Sequence, residues 1–221
     1  MWFHLLIRHP YMALSSLIPS NILNKLLIST LLLNLFAIVP LMGQEMNPQL
    51  YSRVWLDNET RVISGYEITK IFGQLPNNPS TYNYSPITAI GYQSLDSLES
   101  SFHRVAISEK WEQEDLEKNL ENLRNISLGG QLQIYLTRYN EERANFRWYF
   151  VVIRGADDKG KLWEFDLPYQ APQNPINNGW WNYTTIEIPV QLPDSFFVYL
   201  NDKKSNYLSD FKFRVEKITV K

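Results

Sequence analysis

The contrast between residues 1–44 and the rest of the chain is the strongest constraint on how this sequence folds. Only Arg8 and Lys25 are charged in the first 44 residues, and an uncharged, mostly apolar run over 26–44 follows Lys25. A basic start, an apolar stretch and small residues near its end are the three parts of a secretory signal peptide. The run therefore predicts export, and residues 45–221 are the part that folds into a domain.

The same run also fits a retained membrane anchor, because a membrane-spanning helix needs ~20 apolar residues. Positive charges precede the run, so both interpretations place residues 45–221 on the non-cytoplasmic side. Cleavage near Gly43 or Gln44 is the favoured interpretation, and Met12 is an alternative start of the signal. We expect the protein in the periplasm, at the cell surface or in the medium, with membrane contact only through an uncleaved leader.

The composition of residues 45–221 narrows the class of partner. This part carries 19 basic and 23 acidic residues without a stripe of Lys or Arg, so nucleic acid is not expected as a partner. The chain has no Cys, so disulfides do not stabilise it, which favours a bacterial origin for an exported protein. The length suits one domain that buries a core of its own.

Residues 51–126 show mixed α and β signals. The clearest is an amphipathic helix at about 109–125, with Ser108 as its N-cap and an apolar stripe of Leu116, Leu120 and Leu123. Short helices are also expected within 62–102. One of these is ambiguous: over residues 62–72 a polar–apolar alternation suggests a strand, whereas a capping box followed by helical spacing predicts a short helix, which is the favoured interpretation.

A further short helix is expected near residues 95–102, leading into a strand through Val105 and Ile107.

Residues 131–221 alternate as β-strands do. In 131–139 the apolar side chains share one side and Gln131, Gln133 and Thr137 the other, which predicts a half-buried strand. Residues 146–154 are apolar on both sides, as in a central strand. Together these patterns predict a mainly β fold of antiparallel sheets, a jelly-roll-like or Ig-like β-sandwich over 131–221.

Catalytic motifs are absent from the sequence. The body has one His, His103, and contains no nucleophile elbow, P-loop, dinucleotide-binding or zinc-protease pattern. No cofactor and no metal site are therefore expected. The remaining carboxylate pairs, Asp157 with Asp158 and Glu164 with Asp166, are typical of a turn and of a solvated strand face. The sequence thus predicts a protein that is not an enzyme.

The segment NNGWWNYTT (177–185) is the best candidate binding site. Adjacent Trp side chains in a strand point to opposite sides, so both cannot enter one core. Trp and Tyr offer rigid, amphipathic contact area, and Asn offers hydrogen bonds. The predicted ligand-binding residues are Trp180, Trp181, Asn182 and Tyr183.

Three functions fit these observations. The first is a non-catalytic binding module for a glycan or a protein of the cell envelope. The second is a structural or assembly component of the envelope, in which exposed strands or aromatic side chains pair with partner subunits. The third is a polysaccharide hydrolase that uses two carboxylates.

Overall fold

The computed structural model describes residues 53–73, 86–176, 179–204 and 210–219, with only the backbone described for 174–176. The leader predicted for residues 1–44 lies outside these ranges.

Antiparallel strands dominate the part of the chain that the structure describes. Ten strands form two sheets, with every pair antiparallel, so the mainly β prediction is confirmed. The strands are β1 Thr60–Ile63, β2 Tyr66–Phe72, β3 Thr88–Gln93, β4 Gln131–Arg138, β5 Tyr149–Gly155, β6 Lys161–Asp166, β7 Gln173–Ile176, β8 Gly179–Glu187, β9 Ser195–Asp202 and β10 Phe211–Lys217. Sheet A has the order β1-β2-β10-β9-β5-β6, and sheet B the order β3-β4-β8-β7.

Two α-helices connect β3 to β4, α1 over Leu95–Glu109 and α2 over Gln113–Ile126. Two short 3-10 helices, Glu142–Ala144 and Phe146–Trp148, precede β5. The helix predicted at 109–125 is therefore present as α2, with a later start.

The short helix favoured for residues 62–72 is wrong, because this segment forms the β1–β2 hairpin. Ser64 (φ 52°) and Gly65 (φ 82°) both adopt left-handed backbone conformations. Two such residues form the type I′ turn that matches the twist of paired strands. The turn residues therefore outweigh the capping box, and the strand alternation is the pattern that the fold follows.

The strand expected through Val105 and Ile107 is also wrong, because both residues lie within α1. Ser94 caps this helix by accepting a hydrogen bond from the Ser97 N–H at 3.3 Å. The helix ends at Lys110, which takes a left-handed conformation with φ 56°. Because α1 extends to Glu109, Ser108 lies inside this helix, and its predicted role as the N-cap of α2 is wrong.

Strand β4 is buried on both sides, not half-buried as predicted. Its apolar residues Leu132, Ile134 and Leu136 have no exposed surface. Gln133 and Thr137, on the opposite side, are 4% and 5% exposed. Both sides of this strand are thus withdrawn from solvent.

Aromatic contacts join the two sheets. The ring of Tyr92 on β3 packs edge-on against Tyr66 of β2 and Phe196 of β9, with centroid distances of 4.7 and 5.0 Å. The side of each sheet that makes such contacts is called its inner side below, and the opposite side its far side. Edge-to-face packing of this kind adds to the stabilisation that burial alone provides.

Trp55 anchors the segment before β1 against sheet A. It is 1% exposed, and its ring lies 5.4 Å from that of Phe213. Its indole N–H donates to the Glu59 carbonyl at 2.9 Å, while Arg61 lies over the ring at 4.6 Å. Lys70 donates to the Trp55 carbonyl at 2.8 Å. A buried indole with its N–H satisfied should contribute strongly to stability.

We predict that Trp55→Ala lowers the free energy of unfolding by about 3–5 kcal/mol, because it removes a large buried ring. Leu56→Ala is the matched control, since Leu56 is 61% exposed and its truncation should change stability by less than about 0.5 kcal/mol. Urea unfolding followed by far-UV circular dichroism measures both. Equal losses in the two variants would contradict the anchoring role.

We also predict that Gly65→Ala destabilises the β1–β2 hairpin by about 1–2 kcal/mol, because an alanine at φ 82° strains the backbone. Gly160→Ala provides the control: a Cβ has open space at both positions, but Gly160 has no left-handed φ. Thermal unfolding should show a loss for the first variant and little change for the second. Similar melting temperatures for both would refute the type I′ assignment.

Candidate functional site

The four predicted binding residues lie on β8 and alternate between its two sides. Across the β4–β8 pairing, Trp180 lies opposite Arg138 on the inner side of sheet B, and Asn182 shares that side. Trp181 and Tyr183 lie on the far side. The structure therefore divides the predicted site into two pairs that cannot contact one ligand together.

Asn182 is part of the interior. It has no exposed surface, and its side-chain amide donates to the carbonyl oxygens of Ala144 and Gln170, each at 3.0 Å. Its side-chain oxygen accepts from the Tyr183 N–H at 3.1 Å. The hydrogen-bonding groups of Asn182 are therefore used within the protein and are not available to a ligand.

Trp180 is half-buried beside a buried cation. Arg138, its cross-strand neighbour, is 3% exposed and donates from Nε to the Tyr149 hydroxyl at 2.9 Å and from Nη1 to the Ile87 carbonyl at 3.0 Å. The Tyr149 hydroxyl in turn donates to the Arg143 carbonyl at 2.8 Å. These hydrogen bonds connect sheet B to sheet A, so Trp180 lies beside a contact that stabilises the fold. Trp181 and Tyr183 on the far side are the residues that remain of the candidate binding site.

The far side of sheet B brings aromatic and polar side chains together. The ring of Trp181 lies 6.2 Å from that of Tyr135, with an interplanar angle of 30°. Cross-strand pairing places Tyr183 opposite Tyr135. We call this surface the B-face, and it consists of Gln131, Gln133, Tyr135 and Thr137 of β4 with Trp181, Tyr183, Thr185 and Glu187 of β8.

The B-face has a polar end. Gln131 donates to Glu187 at 2.7 Å, and the Ser127 hydroxyl donates to the other carboxylate oxygen. Gln131 is 7% exposed, yet its side-chain oxygen has no hydrogen-bond partner among the described residues. Leaving a buried acceptor unpaired is unfavourable, so this oxygen requires a hydrogen-bond donor that the described residues do not supply.

Tyr183 provides a second unpaired group. Its buried hydroxyl has no partner in hydrogen-bonding geometry within the described ranges. Burial raises the pKa of this phenol, while the neighbouring Thr185 hydroxyl opposes part of the shift. The phenol is therefore neutral at physiological pH and can donate a hydrogen bond.

The carboxylates considered for catalysis lie elsewhere. Glu164 and Asp166 lie on the exposed far side of β6, where Lys161 pairs with the first at 2.8 Å and Lys203 with the second at 2.5 Å. Each carboxylate thus has its own lysine at an exposed position. This arrangement gives no support to an acid–base pair on β6.

Asp158 joins a different cluster, on the far side of sheet A. It lies in the β5–β6 turn with φ 61°, a conformation that Asp tolerates. Tyr199 donates to its carboxylate at 2.8 Å, and Lys212 pairs with it at 2.5 Å. Although burial alone raises it, hydrogen bonds from Lys212 and Tyr199 hold the pKa of Asp158 below its usual value.

The described residues contain no cluster that could bind a metal ion, and their one histidine is at the surface. His103 is exposed on α1. Across the described ranges, no three His, Cys, Asp or Glu side chains are placed to share a metal ion. In the same ranges, neither helix has the length and apolar character of a membrane span.

Comparison with protein-family models, with curated proteins and with solved structures finds no match to this chain.

Sequence reasoning located Trp181 and Tyr183 but missed their partners on β4. Tyr135 and Gln131 belong to a strand predicted to be half-buried, and no prediction paired that strand with β8. The signal that could have found them is the matching alternation of β4 and β8, which places polar and aromatic residues at every second position of both segments.

We predict that Asp158→Asn lowers stability by about 1 kcal/mol at pH 7, because it removes a charge-assisted ion pair while Asn keeps the left-handed turn. Since folding lowers the pKa of Asp158, its contribution is complete above the ordinary carboxyl pKa near 4 and is lost as the pH falls through the folded value. The difference between wild type and variant should therefore shrink below pH ~3.

Urea unfolding at pH 7 and at about pH 3 tests this prediction. Asp157→Asn is the control, because exposed Asp157 accepts the Lys159 N–H at 3.1 Å, a bond that Asn can also accept. A difference for Asp158→Asn that persists undiminished under the acidic condition would show that the ion pair is not its cause.

Proposed function

We propose that this protein is an exported, non-catalytic module that binds a neutral glycan of the cell envelope on the B-face. The observation that supports this most is the placement of the Trp181 and Tyr135 rings beside Tyr183, whose hydroxyl is unpaired among the described residues, with the likewise unpaired Gln131 Oε1 four residues further along β4. In this proposal the two sheets pack as a β-sandwich, and the leader at 1–44 directs export.

The chemistry of the B-face suits a sugar ring. A pyranose presents apolar C–H groups on its ring faces and hydroxyl groups at its edge, so it can contact an aromatic ring and hydrogen-bond at the same time. The Tyr183 phenol would donate to a hydroxyl of the sugar unit on the rings, and Gln131 Oε1, four residues along β4 from Tyr135, would accept from a hydroxyl of a neighbouring unit. Both polar atoms would then gain the partners that they lack.

Charge favours a neutral ligand. The B-face contains a single carboxylate, Glu187, and no Lys, Arg or His. The Glu187 carboxylate already accepts from Gln131 and Ser127. An anionic sugar would meet no compensating cation there, whereas a neutral one needs none.

Accessibility supports an approach over β8. Trp181 and Tyr183 are partly exposed, while Gln133 and Tyr135 of β4 are only 4% and 6% exposed. Recessed polar groups beside a more exposed ring suit a small ring-shaped ligand better than the flat surface of a protein partner.

The assembly-component alternative has weaker support. Its best surface is the edge strand β6, which carries the stacked rings of Trp163 and Phe165 at 5.4 Å. However, β6 also carries exposed Glu164 and Asp166 and a register shift at its start, and charges and bulges of this kind protect edge strands from pairing. The hydrolase alternative gains no support from Glu164 and Asp166 of β6, because each of these exposed carboxylates pairs with a lysine.

We predict that Trp181→Ala weakens glycan binding at least ~10-fold, because it removes a partly exposed aromatic ring from the B-face. A glycan array identifies neutral ligands, and isothermal titration calorimetry compares the variants with wild type. Trp181→Phe should retain part of the affinity, since it keeps an aromatic face.

Trp163→Ala is the matched control, because it removes a half-buried Trp from the other sheet. It should bind glycan as wild type does. Failure of the wild-type protein to bind any neutral glycan, or equal binding by wild type and Trp181→Ala, would refute the proposal.

A further inference from the structure

On the far side of sheet A, basic and aromatic side chains lie next to each other across the strands β5, β9 and β10. Pairing of β5, β9 and β10 aligns Arg154, Phe197 and Arg214 in one row across three strands. The next row places Tyr199 beside Lys212. We call these five residues the A-face. Because adjacent strands are ~4.8 Å apart, the two guanidinium-bearing residues flank one ring.

The cationic side chains lie along the rings. The Arg154 guanidinium is 5.3 Å from the centre of the Tyr199 ring, and the Lys212 ammonium is 4.3 Å from that of Phe197. Cation–π contacts of this kind hold flexible side chains close to the sheet. The charged groups are therefore positioned before any ligand arrives.

One cation of the A-face, Arg154, has no ion pair of its own in the described part of the chain and shares the attraction of the Asp158 carboxylate with Lys212. Lys212 pairs with Asp158 at 2.5 Å, and Arg214 pairs with Glu216 at 3.1 Å. Arg154 donates only to the Asp158 backbone carbonyl at 3.2 Å, and it forms no ion pair with any carboxylate of the described residues. Its buried Nε has no hydrogen-bond partner there either.

An unpaired guanidinium in this setting favours a carboxylate. Arg presents a planar set of donors that matches a carboxylate through two parallel hydrogen bonds, and such charge-assisted bonds are stronger than neutral ones. The partly exposed Phe197 ring next to it offers a surface for the C–H face of a sugar. One positive charge in excess beside one aromatic ring matches a ligand that carries one carboxylate on one sugar ring.

We propose that the A-face is a second binding site, for the carboxylate of a uronic acid residue in an acidic glycan. This site is separate from the B-face and does not rest on the glycan binding proposed there. Arg154 binds the carboxylate, Phe197 contacts the sugar ring, and the Asp158–Lys212–Tyr199 cluster holds the neighbouring side chains in place.

A single-stranded nucleic acid is the less suitable occupant. Such ligands require a basic groove that follows several successive phosphates, together with stacking rings. Among the described residues, the three cations of the A-face face two carboxylates, Asp158 and Glu216, which leaves one positive charge in excess, and the whole chain has a formal net charge of −2. The number of available charges therefore fits a single carboxylate.

Titration calorimetry with trigalacturonic acid, and with its methyl ester as the uncharged counterpart, tests the proposal. The wild-type chain should bind the acid at least ~10-fold more tightly than the ester. Arg154→Gln should abolish that preference, whereas Arg154→Lys should retain part of it because the charge remains. Circular dichroism verifies that each variant is folded.

Two further variants distinguish binding at the A-face from a general effect of charge and from binding at the B-face. Lys159→Gln removes one positive charge from an exposed position of the same turn, and it should bind the acid as wild type does. Trp181→Ala should also leave binding of the acid unchanged, so loss of the B-face and loss of the A-face give different results.

The proposal is overturned if trigalacturonic acid does not bind at millimolar concentration, or if acid and ester bind equally. It is also overturned if Arg154→Gln binds like wild type or no worse than Lys159→Gln. Tighter binding of an oligothymidylate than of the acid, lost in Arg154→Gln, would assign the surface to nucleic acid instead.

Discussion

The pairing of β4 with its two neighbours determines the arrangement of most of this structure. β4 lies between β3 and β8 and is buried on both sides, so its register decides which side chains contact sheet A and which form the B-face. A slip of one residue would turn Ile134 and its apolar neighbours away from the core and put glutamine side chains in their place. Hydrogen bonds at both ends secure the register: Arg138 with Tyr149 at one end, and Gln131 with Glu187 at the other.

The two far sides differ in chemistry because their charged groups are distributed differently. The B-face is nearly uncharged, and its polar atoms are recessed beside aromatic rings. The A-face is cationic, and rings together with Asp158 keep its charged side chains close to the sheet. We propose a neutral sugar ring as the ligand of the first surface and a carboxylate as that of the second, and a single heteropolysaccharide would offer groups for both.

Local sequence patterns predicted the elements well where one physical preference dominated. The alternation of apolar residues in 131–139 predicted β4, and the leucine stripe predicted α2, because both patterns follow directly from strand and helix geometry. Prediction failed where two preferences competed. Val105 and Ile107 favour strands by type but lie in α1, where Ile107 is 80% exposed, and the Ser64–Gly65 turn outweighed a capping box.

The sequence by itself determined the mainly β class, the existence of an amphipathic helix at about 109–125, and the opposite orientation of the two adjacent tryptophans at 180–181, since these depend on residues close together in the chain. Only the tertiary structure decided that Asn182 is interior and that Asp158 pairs with Lys212 from 54 residues away. Such contacts depend on which strands become neighbours and in what register. That choice is made by the burial and hydrogen bonding of whole sheets, and no local pattern encodes it.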